Sequence, residues 1–172
     1  MKFNLKQVLQ INEIAKPRFD SARRRDLYRF MYEAVPGDGG RADYENGRSR
    51  FGLEHVVAMA CVEYATTNLG LTAEMANSLV DNNFGPLAHA VIEGALEPNE
   101  DRFVFGAIFY GVARGHFAER FSDFQKRFAG EVVRGSQPGE HPDLMPKGFV
   151  AIDATTVFRD VQAKLQGGAF AA

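Results

Sequence analysis

Apolar residues recur at helical spacing along most of this chain, and polar or glycine-rich breaks divide it into short elements. Asn4 is a good N-cap, and Leu5, Val8 and Leu9 follow at i, i+3 and i+4, which predicts a short helix. Ile11 and Ile14 are expected to pack in the turn beyond it. Pro17, tolerated at a first helical position, opens a second segment to about Arg25. There Phe19 and Ala22 are expected to face the first helix, leaving Lys16, Arg18 and some of Arg23 to Arg25 outward. Leu27, Phe30 and Met31 extend the apolar stripe. From Val35 to Ser49 the periodicity stops: Pro36-Gly37-Asp38-Gly39-Gly40-Arg41 and Glu45-Asn46-Gly47-Arg48 read as loop and tight turn.

The clearest periodic stretch follows. Leu53, Val56, Val57, Ala60, Cys61 and Tyr64 predict an amphipathic helix to Asn68, stopped at Gly70. Thr72 then N-caps a helix to Asp81 with Met75, Ala76, Leu79 and Val80 on one face. Pro86 is expected to open a helix reaching Leu96. Glu97-Pro98-Asn99-Glu100-Asp101 is the best linker candidate, giving units of residues 1–97 and 98–172. In the second unit Phe103 to Val112 predicts a buried strand, bent or bulged at Gly106 and Gly111. Phe117, Phe121, Phe124 and Phe128 share one face at helical spacing. Phe149 to Ile152 predicts another strand, and Asp153 caps a helix burying Val157, Phe158, Val161 and Leu165. The fold class is therefore mainly α with small β elements, an α+β chain.

Composition narrows the classes. In 172 residues there is one cysteine, Cys61, so no intramolecular disulfide forms and a reducing cytoplasm is expected. No apolar run approaches the roughly 18–20 residues of a membrane helix. The net charge of −2 hides an asymmetry: residues 1–50 carry 11 Lys/Arg against 7 Asp/Glu, whereas residues 51–172 carry 9 against 15. A basic N-terminal region beside an acidic remainder fits a polyanion partner, or simply two solvated surfaces of opposite sign.

Candidate enzyme chemistry is thin. His55, His89, His116 and His141 are far apart in sequence, and no zinc site with Cys61 or a carboxylate is expected. His55 is expected on a helix surface and Cys61 in the core. No nucleophile elbow, phosphate loop or paired-carboxylate motif occurs. Gly37-Asp38-Gly39-Gly40 lacks both a preceding strand and a following Lys-Ser/Thr, and His141-Pro142-Asp143 has no visible partner. No catalytic residue, cofactor or metal is expected.

The order of parts is more informative than any one of them. A short helix, a Pro-Arg-containing second helix, a basic turn, Arg48-Ser49-Arg50-Phe51 entering a helix, and a Leu69-Gly70-Leu71-Thr72 step into the next resemble the MerR-type winged helix-turn-helix regulators over residues 3–84. The resemblance implies a recognition helix from Pro17, with Lys16 and Arg18 near its start. It also implies a wing carrying Arg48 and Arg50, with Phe51 as its plug. The DNA-contacting set expected is Lys16, Arg18, Arg23, Arg24, Arg41, Arg48, Ser49 and Arg50. The glycine-rich wing is longer than is usual in that family, and the family's long dimerisation helix has no counterpart here. Residues 98–172 are instead expected to form a dimerisation or partner-binding unit. The reading implied is a bacterial or phage-related transcription regulator. It would act as a homodimer on double-stranded DNA in the cytoplasm, at the nucleoid, with RNA polymerase or another regulator as a further partner. The rival is an adaptor or anti-regulator that keeps the shape and binds protein.

Overall fold

The computed structural model describes residues 1–32, 44–45, 48–49, 51–97, 101–110, 113–136 and 145–167. These residues are mainly helical, with three small antiparallel sheets. Strand β1 (Lys2–Phe3) leads into α1 (Leu5–Ile11) and α2 (Lys16–Arg24), and a 3-10 turn follows at Arg29–Tyr32. Short strands β2 (Tyr44–Glu45), β3 (Arg48–Ser49) and β4 (Phe51–Gly52) precede α3 (Leu53–Thr67), α4 (Ala73–Asp81) and α5 (Phe84–Ile92). The chain then adds β5 (Phe103–Phe109), β6 (Arg114–Arg120), α6 (Phe121–Gly135), β7 (Gly148–Asp153) and α7 (Ala154–Gln166).

Local chemistry sets many of the boundaries. Asn4 and Gln7 cap α1 reciprocally: the Gln7 amide donates to Asn4 Oδ1 at 3.0 Å and the Asn4 amide to Gln7 Oε1 at 2.9 Å. The Thr72 hydroxyl accepts from the Met75 amide to start α4, and the Asp153 carboxylate accepts from the Thr156 amide to start α7. Three helices end in the same left-handed turn. After α5 the residue in that turn is Gly94, but after α1 it is Glu13 (φ 56°) and after α2 Asp26 (φ 60°). In each, the next residue's amide closes the loop, as in Ile14 to the Leu9 carbonyl at 2.8 Å.

Helix α3 lies at the centre. Residues 54 to 59 are buried in succession, so its first turns have no solvent face, whereas the sequence predicts a one-sided stripe. His55 is a consequence: it is buried, not on the surface. On α4, Met75 is exposed and Asn77 takes the buried place; its side chain accepts from the Tyr28 amide at 2.8 Å. Helix α5 starts two residues before Pro86 and stops at Ile92, which is exposed, with Leu96 buried beyond its end.

The three-stranded sheet has order β6-β5-β7, all antiparallel. Its register runs through Gly106 without a bulge. Glycine is needed there because a Cβ would collide with the Val150 carbonyl and the Phe117 ring. Phe117 lies on β6 and the helix starts only at Phe121, yet Phe117 still stacks on Phe124, centroids 4.4 Å apart. One face of the sheet, through Phe105, Ala107 and Ile152, joins the main core. The other, through Val104, Ile108 and Phe117, packs with Phe124 of α6. The main core runs without interruption from Phe3 to Val161, so buried residues on both sides of the 97/98 boundary belong to one cluster. No described helix is long and apolar enough to cross a membrane.

Candidate nucleic-acid interface

Helix α2 presents its polar surface because Phe19 and Ala22 alone are drawn into the core. Pro17, Ser21 and Arg24, spaced four and three residues apart, are all exposed and make one ridge. Lys16 is exposed at the helix start and pairs with Asp20 at 2.6 Å. Arg24 Nε donates to the Asp20 carbonyl at 3.3 Å, and Arg23 lies 5.8 Å from the Tyr32 ring with a hydrogen bond to its hydroxyl at 3.3 Å. Neither Arg23 nor Arg24 has a carboxylate partner among the described residues.

Arg18 is placed differently. Its two terminal nitrogens reach the Glu63 carboxylate of α3 at 2.8 and 3.2 Å, a forked pair joining α2 to the central helix. The buried Tyr28 hydroxyl also points at Glu63, at 3.4 Å, and burial followed by that carboxylate pushes its pKa up to about 12. On the same flank Arg25 pairs with Glu74 of α4 at 2.8 Å. Arg18 thus holds α2 down as well as offering charge. Ser21 and Glu63 were not among the residues singled out from sequence, and Arg25 was left out of the expected DNA-contacting set. Arg25 was legible in the run Arg23-Arg24-Arg25; Glu63, 45 residues from Arg18, carried no local signal.

Of the expected wing residues, Arg48 and Ser49 form β3, paired with Glu45 and Tyr44 on β2. The Asn46-Gly47 turn, Arg41 and Arg50 lie outside the described residues. Strand β4 follows. Phe51 and Gly52 pair with Phe3 and Lys2 of β1, and Phe51 is buried. Below it, the Gly52 amide donates to His55 Nδ1 at 3.2 Å, and the same nitrogen lies 3.0 Å from Glu54 Oε1. Nδ1 accepts from Gly52 when it carries no hydrogen and donates to Glu54 when it carries one, so the two contacts exclude each other. His55 Nε2 is buried without a partner.

Ring contacts tie the two halves together. From Phe19 on α2 they pass to Tyr28 (5.4 Å), Phe30 (6.0 Å), Phe84 (5.5 Å), His55 (5.3 Å) and Phe51 (5.7 Å), centroid to centroid. This continuous aromatic row joins the exposed cationic helix to the strand that leaves the hairpin. Among the described residues, no three His, Cys, Asp or Glu side chains converge as a metal site would require. Cys61 is wholly buried, and burial pushes its thiol pKa up, away from reactivity. No family model matches the chain, and no curated protein matches it.

Proposed function

We propose that this protein is a sequence-specific DNA-binding transcription regulator of winged helix-turn-helix type, related to the MerR-like regulators. In this reading α2 enters the major groove and the β2–β3 hairpin lies along flanking backbone. The observation that carries the proposal is the ordered combination of elements along the chain. A capped α1 and a tight turn lead to an α2 with Lys16, Arg18, Arg23 and Arg24 exposed. A two-stranded hairpin with Arg48 then follows, its exit strand plugged by Phe51. Phosphate contacts by these cations position the helix, and Ser21 and Arg24 on the outer ridge are suited to read base edges. The excess of acid in residues 51–172 disfavours contact of the remainder of the chain with the polyanion. A homodimer on a palindromic site is the arrangement such a unit favours.

Fluorescence anisotropy against random duplex over a salt series tests this. Counterion release requires affinity to fall with a log–log slope of roughly −0.9 per phosphate contacted. Arg24→Ala and Arg48→Ala are expected each to weaken binding and make the slope shallower by about one contact. No binding at micromolar protein in low salt would overturn the proposal. One observation favours the rival adaptor reading: Lys16, Arg18 and Arg25 are each already paired with a carboxylate of this chain. In that case neither Arg24→Ala nor Arg48→Ala would change the chain's affinity for duplex DNA.

A further inference from the structure

The turn between α1 and α2 is built at a local cost and held from far away. Glu13 occupies the left-handed position that closes α1, at φ 56°. Glycine suits that conformation best, and a side chain there costs on the order of a kcal/mol. Asp26, the other acidic residue in such a position, pairs locally with Arg29. Glu13 instead pairs with Lys164 on α7, 151 residues along the chain, at 2.6 Å. The same ammonium donates to the Ile11 carbonyl at 3.2 Å, one of the carbonyls that the end of α1 leaves open. Next to it, the Asn12 side-chain amide donates to the Val56 carbonyl of α3 at 3.3 Å. Glu13, Arg18, Glu63 and Lys164 all line one cleft of about 340 Å³ between α3, α7 and this turn. The Arg18–Glu63 tie on α2 and the Lys164–Glu13 tie on the turn before it therefore meet in one cleft, and the second comes from α7.

We infer that Lys164 is a positioning residue for α2: by clamping Glu13 and the end of α1 it sets how the cationic helix is presented. This rests on the DNA-binding reading for its consequence, though not for its geometry. Glycine would be easier here, but the glutamate's carboxylate gives α7 a grip on the turn. The ion pair also holds the Glu13 carboxyl below its ordinary range, through the hydrogen bond from Lys164 first and its charge second.

The full chain carries the test, in two arms. Lys164→Met keeps the length of the stem and removes the donor. Without DNA, amide hydrogen exchange of peptides covering residues 9–25 is expected to quicken on the order of tenfold, with the β5–β6 peptides unchanged. Glu13→Gly frees the turn from strain but loses the grip, so adding Lys164→Met to it is expected to produce much less than the sum of the two effects. Unchanged exchange, or full additivity, would refute the clamp. With DNA, the probes are a duplex enriched by the wild type from a randomised pool and a random duplex. Lys164→Met is expected to lower affinity for the enriched duplex several-fold more than for the random one, at an unchanged salt slope, and Lys164→Arg to restore it. An equal loss on both duplexes would show general destabilisation or a direct phosphate contact, and sink the positioning role. If the wild type binds neither duplex, the DNA-binding reading fails while the exchange arm still decides the clamp.

Discussion

At Gly52 a side chain would run into the carboxylate of Glu54, which folds back over the first turn of α3. The glycine exists to let a buried acid sit at a helix N-terminus, where the unpaired amides favour negative charge. Burial alone pushes the Glu54 carboxyl up. The hydrogen bonds from His55 and from its own amide, with the charges of His55 and Lys2, outweigh burial and leave it below its ordinary 4.5. A carboxyl whose folded pKa is depressed contributes stability above the unfolded value, and that stability is lost as pH falls through the folded one. Glu54→Gln is therefore expected to be less stable than wild type at neutral pH and to lose less on acidification. Urea titrations over a pH series measure both. Part of the acid loss should persist, because Glu13 and Asp101 are depressed as well, through Lys164 and Ser122 respectively. A variant as stable as wild type at neutral pH, with the same acid limb, would show that the Glu54–His55 contact contributes nothing.

Among elements, the aromatic row explains why α2 and β4 should behave as one body. Phe51 is its end point, buried against His55 and paired across β4 to Phe3. Phe51→Ser removes a fully buried ring and leaves a hydroxyl in its place, at a cost of about 3–5 kcal/mol. Because the row continues to Phe19, protection from hydrogen exchange is expected to fall in α2 and β4 together, with the sheet around β5 least affected. Loss confined to β4 would show that the ring contacts do not couple the two. The elements legible in the sequence were those written in local chemistry. Asn4, Thr72 and Asp153 cap their helices as their neighbours predicted, and the apolar run from Phe103 is a strand. Strand β6 was not legible. Only Phe117 is buried along Arg114–Arg120, so an edge strand with one inward residue had no alternating pattern to show. Its phenylalanine then fell into phase with α6 by coincidence of spacing. In the candidate interface the cations themselves were readable. Their partners were not, because Glu63, Glu74 and Lys164 reach α1 and α2 only through the tertiary fold.

For the whole molecule, the question is how far residues 1–97 are a unit. In sequence the proline and acids at 97–101 read as a linker. In the fold, α7 packs on α3, and its Ala154, Val157, Phe158 and Val161 are buried in the same cluster as Val56, Met59 and Cys61. The β5 face adds Phe103, Phe105 and Ala107 to that cluster. Helix α3 is apolar nearly all round, and such a helix requires partners on every side. Ending the chain at residue 97 would strip one side of α3 and remove Lys164 from the α1–α2 turn. Each large buried apolar side chain so exposed forfeits roughly 1.5–3 kcal/mol, and a few of them match the 5–15 kcal/mol that holds an ordinary domain together. The fragment 1–97 is accordingly expected to lose a sharp urea transition and to bind a hydrophobic dye, while the full chain unfolds in one step. Calorimetry and dye fluorescence on the two proteins make the comparison. A fragment that melts cooperatively near the full chain's temperature would mean that the shared core is a contact between two independently stable units. In that case α7 would be a docked regulator of the N-terminal unit and not part of its foundation. The Lys164 clamp would survive that result, since a docked helix can hold a turn as well as a built-in one, but the dependence of α2 on α7 would become separable from folding.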